Sequence, residues 1–374
     1  MRTLHAKAPL RLTDSIPGCE RRGSDGAPRI VGVLPGEGIG PEVIGAALGV
    51  LHAVTSSSER SFDVCTAEVS MHAGGPLAEE LAQFCDATFA GGGAVVCGPA
   101  GGRFVYDLRA RFDLYCKLVP IRPSPALADV AIVRAERLRD VDVLIVRENV
   151  GGLYAGEFGR REEGHVAFQH CVYGTDQVAR LVRVAASLAQ RRRGRLTAIV
   201  KSGGVPEVSA LWREQAQVAG ASAGVELEVL EVDNASFQLV ANPSRFDVVA
   251  APNLFGDVLA DGATVLLGSR GMSYSANFGP GGRAIYQTGH GAAHDLAGSG
   301  RADPVAQILS VAMMLRETFA LEREAAAIEA AVERVLAAGW RTPDIAGPAS
   351  RVVGTRDLAE RIAEQAAEMH AAVK

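Results

Sequence analysis

Two aspartates stand four residues apart in the stretch NLFGDVLADGATVLLGSRG, which runs from Asn253 to Gly271 and is otherwise apolar and glycine-rich. Helical periodicity puts Asp257 and Asp261 on one face, where two like charges are costly to desolvate unless a cation or an arginine compensates them. Carboxylate oxygens suit hard divalent cations, which keep coordination positions open for water and other oxygen ligands. The spacing therefore predicts either a metal site or an arginine partner.

The composition describes a globular protein larger than one ordinary domain. The chain has 374 residues, of which 48% are hydrophobic and 22% charged, enough for a substantial core in two lobes. A net charge of -5 gives no support for nucleic-acid binding. No apolar run reaches the roughly 18 to 20 residues of a membrane span. Six scattered cysteines without a C-x-x-C pair fit a reducing cytoplasm.

Two polar segments are interpreted without a functional role. The basic run RRRGR at 191–195 follows an amphipathic helical stretch, so its cations are expected at a helix C-terminus, where the helix dipole favours them. Residues 1–28 lack a hydrophobic signal core and mix Arg, Ser, Gly and Pro, which predicts a disordered N-terminal extension.

From residue 29 onward, β-rich runs alternate with amphipathic stretches, which predicts α/β layers. The first unit, RIVGVLPGEGIGPEVIGAALGVLHAV, is typical of a strand, a glycine turn and a helix with Pro41 in its first turn. Gly36, Gly38 and Gly40 miss the G-x-G-x-x-G fingerprint by one position. Alone, this loop fits a tight strand-to-helix turn as well as it fits a nucleotide site.

Eight separated segments together resemble the β-decarboxylating dehydrogenases, the family of isocitrate, isopropylmalate, homoisocitrate and tartrate or malate dehydrogenases. They are, in the family's order, LPGEGIGPEV, LRARFDLY, RENVGGLYAGE, VKSGG, VDNASFQLV, NLFGDVLADGA, HGAAHDLAG and ILSVAMMLRE. The resemblance implies a two-lobed, non-Rossmann α/β fold with a central mixed sheet flanked by helices. A large cofactor-binding domain would comprise 29–114 and 268–374, and a small substrate and dimerisation domain would comprise 115–267.

The resemblance also implies a metal-dependent mechanism. Asp257 and Asp261 would bind Mg2+ or Mn2+ together with Asp233 of the neighbouring subunit. Lys201 would take the substrate's hydroxyl proton, directly or through a water, and Tyr154 would protonate the enol carbon. The metal would stabilise the alkoxide during hydride transfer and the enolate left after CO2 departs. Because Asp233 and Lys201 would serve the neighbour's site, a homodimer with shared active sites is expected.

The cofactor segment reads YQTGHGAAHDLAGSGRADP, and in the family its histidine and backbone approach the adenosine. NAD is favoured over NADP, because the carboxylate of Asp295 can accept hydrogen bonds from ribose hydroxyls but would repel a 2'-phosphate. Three positions depart from the family: Gln287 replaces a glutamate, His294 a proline and Asp303 an asparagine. The candidate cofactor residues are His290, Gly291, Ala292, Ala293, Asp295 and Asp303.

Substrate recognition departs further from the family, which binds the malate carboxylates with three arginines. Arg109 and Arg147 match two of them, but Val119 occupies the third position. Losing that charge-assisted pair would cost about 1.5 to 3 kcal/mol if nothing compensates. The further candidates for an anionic group of the substrate are Arg103, Lys117 and Arg122. We therefore expect a small-molecule substrate of the 3-substituted malate type with a non-standard substituent.

Two alternatives remain at this stage. A non-catalytic regulatory subunit would explain the loss of the third arginine and of the glutamate at Gln287, although the intact metal ligands and base argue against it. A dehydrogenase that does not decarboxylate is the other alternative, and product analysis for CO2 separates it from the first reading.

Overall fold

The structure is a computed structural model that describes residues 11–19, 29–56, 61–68 and 75–372. Its strands, in chain order, are β1 (Arg29–Leu34), β2 (Phe62–Thr66), β3 (Ala94–Cys97), β4 (Cys116–Ile121), β5 (Val143–Glu148), β6 (Phe158–Arg161), β7 (Val166–Gln169), β8 (Arg195–Val200), β9 (Glu226–Glu231), β10 (Val248–Ala251), β11 (Tyr274–Phe278), β12 (Ala284–Thr288), β13 (Trp340–Arg341) and β14 (Arg351–Val352). Its α-helices are α1 (Gly40–Thr55), α2 (Glu79–Ala90), α3 (Gly102–Arg111), α4 (Ala135–Leu138), α5 (Thr175–Arg191), α6 (Pro206–Ala223), α7 (Val232–Ala241), α8 (Asn253–Ala263), α9 (Val305–Glu317), α10 (Glu322–Ala337) and α11 (Thr355–Ala372).

One mixed sheet runs through the described part of the chain. Ten strands follow the order β2-β1-β3-β12-β11-β4-β5-β10-β8-β9. Three neighbouring pairs are antiparallel, namely β11 with β12, β11 with β4 and β4 with β5. The remaining neighbours are parallel. The predicted α/β fold with a central mixed sheet flanked by helices is confirmed.

The sequence forms these elements for simple reasons. β3 and β10 read AVVC and VVAA and are buried along their whole length, as expected for strands covered by helices on both faces. α5 presents one apolar face, and Val178, Leu181 and Val182 on it are buried. Pro41 lies in the first turn of α1, where its missing N–H costs nothing. None of the helices in the described ranges is long and apolar enough to cross a membrane.

The boundaries predicted between the two domains fall inside this sheet. Residue 115 immediately precedes β4 and residue 268 shortly precedes β11, and these two strands are hydrogen-bonded neighbours, with Ala276 opposite Leu118. The two predicted domains therefore share one continuous sheet, and their division into lobes stays a prediction.

The segment 11–19 is ordered and packs on the end of α9. The backbone N–H of Thr13 donates to Glu317 Oε2 at 2.9 Å, and Ser187 Oγ lies 3.0 Å from Ser15 Oγ. Ile16 is buried in the main hydrophobic core. The prediction of a disordered extension is thus wrong for residues 11–19, because tertiary contacts hold a segment of low hydrophobicity. Residues 1–10 and 20–28 lie outside the described residues.

The basic run at 191–195 has a structural role. Arg191 ends α5, and Arg192 Nε then donates to Asp247 Oδ1 at 2.8 Å while the backbone N–H of Arg193 donates to Asp247 Oδ2 at 2.9 Å. Asp247 is fully buried, so its charge needs these partners. The run therefore compensates a buried carboxylate, in addition to lying at a helix C-terminus as expected.

Candidate active site

The two aspartates that opened the sequence analysis lie one turn apart on α8, directly after β10. Arg147 on β5 donates from Nη1 to Asp257 Oδ1, and the hydroxyl of Tyr154 donates to Asp257 Oδ2 at 3.2 Å. Asp261 forms an ion pair with Arg270. In this structure each carboxylate therefore has an arginine partner.

Arg147 is fixed by more than its aspartate. Its Nε and Nη2 donate to Asn253 Oδ1 at 3.1 and 2.7 Å, and its side chain is almost wholly buried. Gly256 makes this possible, because a Cβ there would lie 2.8 Å from Arg147 Cγ. The glycine that precedes Asp257 thus allows the β5 arginine to pack flat against α8.

Three cations converge beside Asp257. Lys117 on β4 lies directly opposite Arg147 on β5, and Arg109 comes from α3. Burial, reinforced by repulsion from Arg147, lowers the pKa of Arg109 to about 9. The pKa of Lys117 is lowered well below its usual value by burial and by repulsion from Arg109 and Arg147.

This group has a surplus of positive charge. Neither Arg109 nor Lys117 makes a hydrogen bond or an ion pair with another described residue, although each is more than nine-tenths buried. Buried charges are normally paired, so two buried cations without a hydrogen-bond or ion-pair partner call for an anionic ligand. A ligand with carboxylates is the simplest chemical match.

Val119 lies on the same face of β4 as Lys117, because residues two apart on a strand point the same way. It is opposite Ile145 and buried among apolar neighbours. The resemblance predicts an arginine at position 119 of β4. The strand instead presents a lysine on the same face two residues earlier, at Lys117.

The other two candidate substrate cations lie elsewhere. Arg122 follows the end of β4, and its Nε donates to Asp142 at 2.9 Å in a separate cavity. The structure does not bring Arg122 to the cationic group. Arg103 lies in the first turn of α3, at the rim of the site, where its side chain is 48% exposed and pairs with Asp107 at 3.2 Å.

Lys201 and Asp233 pair with each other, and among the described residues neither forms a hydrogen bond or an ion pair with the α8 carboxylates. Lys201 follows β8, Asp233 is in the first turn of α7, and their Nζ and Oδ1 atoms are 3.1 Å apart. This hydrogen bond lowers the pKa of Asp233, which is fully solvent-exposed. Among the described residues of the single chain, no three His, Cys, Asp or Glu side chains form a group that could hold a metal ion.

A cavity of about 640 Å3 lies between the glycine loop before α1 and the segment 290–303. Four predicted cofactor residues line it, namely His290, Gly291, Ala293 and Asp303. Ala292 does not, but its carbonyl accepts from the N–H of Ile39 at 2.9 Å. Asp295 is exposed on the surface and is not part of the lining.

The contact between the glycine loop and the backbone of Ala292 explains why position 38 is a glycine. Gly38 has a φ of +56°, and a Cβ there would lie 2.0 Å from the carbonyl oxygen of Ala292. The loop is therefore a tight strand-to-helix turn, and its residue Ile39 also lines the cavity. That the loop contributes to a nucleotide site stays a prediction.

Two titratable groups in this cavity, His290 and Asp303, have pKa values shifted towards their neutral forms. Burial lowers the pKa of His290, whose Nδ1 lies 3.0 Å from the carbonyl oxygen of Gly291. Burial and the nearby Asp344 raise the pKa of Asp303 well above its usual value. Asp303 Oδ1 also accepts from the N–H of Val305 at 2.9 Å, at the start of α9.

The other two positions that depart from the family, Gln287 and His294, each contact a polar side chain. Gln287 Oε1 accepts from Asn277 Nδ2 at 2.8 Å, and Asn277 Oδ1 accepts from Asn149 Nδ2 at 3.0 Å, so Gln287 closes a buried chain of amides. His294 Nε2 lies 3.8 Å from a carboxylate oxygen of Glu37.

Sequence reasoning did not single out several residues that the structure brings to the site. Asn253 opens the stretch quoted first, and Tyr106 lies three residues before Arg109, so one helical turn of spacing was the available signal for it. Arg270 and Asp344 line the cavity, and no motif marks either of them.

The comparisons with known proteins agree over nearly the whole chain. A sequence model of the isocitrate/isopropylmalate dehydrogenase family matches residues 30–362. The 3-isopropylmalate dehydrogenase of Moorella thermoacetica is 38% identical over 359 residues, covering 90% of this chain and 99% of that protein. The 3-isopropylmalate dehydrogenase of Anaeromyxobacter dehalogenans is 39% identical, with 90% and 98% covered. Among solved structures, the isocitrate dehydrogenase from Methylococcus capsulatus superposes with a TM-score of 0.79 at 30% identity, covering 91% of this chain and 99% of that chain.

Proposed function

The chain belongs to the isocitrate/isopropylmalate dehydrogenase family of NAD- and Mg2+- or Mn2+-dependent decarboxylating dehydrogenases, and we propose that its substrate is a malate with a non-standard substituent on C3. The reaction is the oxidative decarboxylation of a hydroxy acid. The observation that carries the proposal is the group of Arg109, Lys117 and Arg147, two of which make no hydrogen bond or ion pair with another described residue although they are buried.

In this proposal the three cations bind the two carboxylates of the malate unit. Arg109 and Arg147 take the roles that the resemblance gives them, and Lys117 takes the role of the arginine absent at Val119. Arg147 also fixes Asp257, so the carboxylate site and the metal site are positioned by one side chain. Burial excludes water and strengthens each charged contact in the group.

Two side chains handle protons. Burial, followed by the charge of Asp257, raises the pKa of Tyr154 to about 12, so its hydroxyl stays protonated at neutral pH and can donate to the enol carbon. Lys201 takes the proton of the substrate's hydroxyl group in the neighbouring subunit's site. Its pairing with the exposed Asp233 supports this reading, because among the described residues of one chain neither group forms a hydrogen bond or an ion pair with Asp257 or Asp261.

The donor set fits a hard divalent cation. Asp257 and Asp261 offer carboxylate oxygens on one face of α8, and Asp233 of a second copy would complete the set. When bound, Mg2+ or Mn2+ supplies the Lewis acid and NAD the hydride acceptor for the reaction. The 640 Å3 cavity lined by His290, Gly291, Ala293 and Asp303 would hold the cofactor.

A homodimer is part of the proposal. Three large apolar side chains are exposed on neighbouring helices: Phe237 and Val240 on α7 and Val258 on α8. Large apolar side chains exposed on neighbouring helices are typical of an interface between subunits. They adjoin Asp257 and Asp233 in sequence, which is what a shared active site requires. The reducing cytoplasm remains the location expected from the cysteine pattern of the sequence.

The test is NADH formation with Mg2+ or Mn2+ across D-malate, tartrate, isocitrate, homoisocitrate, 3-isopropylmalate and a phosphonate-bearing malate, with CO2 measured in parallel. Metal-dependent turnover with one CO2 per NADH supports the proposal. NADH without CO2 would instead mean a dehydrogenase that does not decarboxylate. NAD binding without turnover of any acid would favour the regulatory subunit.

Replacing Lys117 by methionine tests its role in substrate binding. Methionine keeps the length of the apolar stem and removes the charge, so the KM for the preferred acid should rise about 10- to 150-fold, matching a lost charge-assisted pair of about 1.5 to 3 kcal/mol. The KM for NAD should stay within about twofold.

The matched control is Arg122→Met, which removes the competing candidate at the far end of β4. Because Arg122 pairs with Asp142 in a separate cavity, its loss should leave the substrate KM nearly unchanged. A larger KM change in Arg122→Met than in Lys117→Met would contradict the assignment. Adding Val119→Arg to the Lys117→Met variant should recover part of the lost affinity.

A further inference from the structure

An aromatic wall lies at the rim of the site, made by Tyr106 on α3, Tyr154 after β5 and Phe158 on β6. The rings of Tyr106 and Tyr154 meet edge to face with centroids 5.3 Å apart. The guanidinium of Arg103 lies 5.7 Å from the ring of Tyr106 and 5.4 Å from the ring of Phe158. Three rings and one cation thus form a single wall.

The position of this wall relates it to C3 of the substrate. In the proposed mechanism Tyr154 protonates C3, the carbon that carries the substituent. The substituent must therefore lie close to the ring of Tyr154. Tyr106 is packed against that ring on one side and lies 5.6 Å from the guanidinium of Arg109, a carboxylate-binding residue, on the other. A group on C3 would therefore contact Tyr106.

The charges around the wall disfavour an anionic substituent. Three arginines lie against these rings, namely Arg103, Arg109 and Arg147. Of these, Arg103 is the one that the malate carboxylates do not use, and it already forms an ion pair with Asp107 at 3.2 Å. Arg109, Lys117 and Arg147 are used by the two malate carboxylates. A third acidic group would face the carboxylate of Asp107 and a guanidinium that is already neutralised.

We propose that the substituent on C3 is an aromatic ring on a short linker, which packs against Tyr106 and Phe158 beneath Arg103. Aromatic rings prefer the edge-to-face and offset arrangements that Tyr106 and Tyr154 already show, and a guanidinium favours the face of a ring. An aliphatic branch would leave the faces of two rings and one guanidinium without a matching surface. This inference rests on the proposed function and names the substrate class for it.

The experiment compares kcat/KM for 3-benzylmalate, 3-isopropylmalate, isocitrate and 3-phosphonomethylmalate under one set of metal and NAD concentrations. We expect 3-benzylmalate to be the best substrate. Tyr106→Leu should lower the ratio of kcat/KM for 3-benzylmalate to kcat/KM for 3-isopropylmalate about tenfold. The contacts of Tyr106 with Tyr154 and Arg109 are shared by both substrates and cancel in this ratio, whereas the contact with an aromatic substituent does not. A best substrate with an aliphatic or anionic substituent overturns the inference while the proposed function stands.

Arg103→Gln separates recognition of a ring from recognition of an anion. It should reduce kcat/KM for 3-benzylmalate by no more than about fivefold, as for an exposed cation–π contact. A loss of activity confined to 3-phosphonomethylmalate or isocitrate would show that Arg103 binds an anion and would overturn the inference.

Calorimetric binding of 3-benzylmalate and 3-isopropylmalate to the Mg2+-loaded protein without NAD gives a second readout. Silence in every assay of turnover would count against the proposed function. Even then, tighter binding of 3-benzylmalate that Tyr106→Leu abolishes would support the aromatic subsite, and equal or weaker binding would overturn it.

Discussion

The Asp257→Asn variant is expected to lose metal-dependent NADH formation, with kcat reduced about a thousand-fold or more. Removing one carboxylate ligand weakens the metal site and withdraws several kcal/mol of charge stabilisation from the alkoxide and enolate, and each 1.36 kcal/mol corresponds to about tenfold in rate. Steady-state kinetics over a range of Mg2+ concentrations measures the effect, and the metal concentration for half-maximal activity should rise as well.

The substitution is designed to preserve the fold. The amide oxygen of asparagine can still accept from Arg147, which also keeps its two hydrogen bonds to Asn253. Asp357→Asn, an exposed carboxylate on α11, is the matched control and should have wild-type activity and melting temperature. Full activity in Asp257→Asn at ordinary Mg2+ concentrations would refute the assigned metal site.

Mixing two inactive variants should restore about a quarter of the wild-type activity. One variant is Lys201→Met and the other is Asp257→Asn. If each active site takes Lys201 from one subunit and Asp257 from the other, a mixed dimer has one site with both groups intact and one with neither. With random assortment, half of the dimers are mixed, which gives the expected quarter.

Co-expression of the two variants with different affinity tags allows the mixed dimer to be isolated and its activity measured directly. The matched control pairs Asp257→Asn with Asp261→Asn, which would alter the same helix in both subunits and restore nothing. A mixed Lys201→Met and Asp257→Asn dimer without activity would mean that the site lies within one chain, and a monomeric active protein would exclude sharing altogether.

The sequence predicted well those features that depend on local periodicity. The runs AVVC and VVAA became buried strands, and the spacing of Asp257 and Asp261 placed both on α8. The order of the segments also predicted the mixed sheet, through the resemblance to a known family. These elements follow from hydrophobic pattern and chain order, which a sequence records directly.

Features that depend on long-range contacts could not be predicted from hydrophobic pattern and chain order. Lys117 and Arg122 lie two and three residues from Val119 in sequence, but only Lys117 shares its strand face, while Arg122 lies beyond the strand and pairs with Asp142. Residues 11–19 have the composition of a disordered segment. They are nevertheless ordered, because Thr13 is hydrogen-bonded to Glu317, about 300 residues away in the sequence. The exposed position of Asp295 depends on the turn that precedes α9.

The continuous sheet has a mechanical consequence. Arg109 stands on α3, on one side of the seam between β11 and β4, whereas Lys117 and Arg147 stand on the strands of the other side. A dicarboxylate held by all three is anchored across that seam, which has no flexible linker to absorb a rotation. A bound substrate would therefore restrict changes in the twist of the sheet. Tighter binding would reduce the motion of the paired strands β11 and β4 at Ala276 and Leu118.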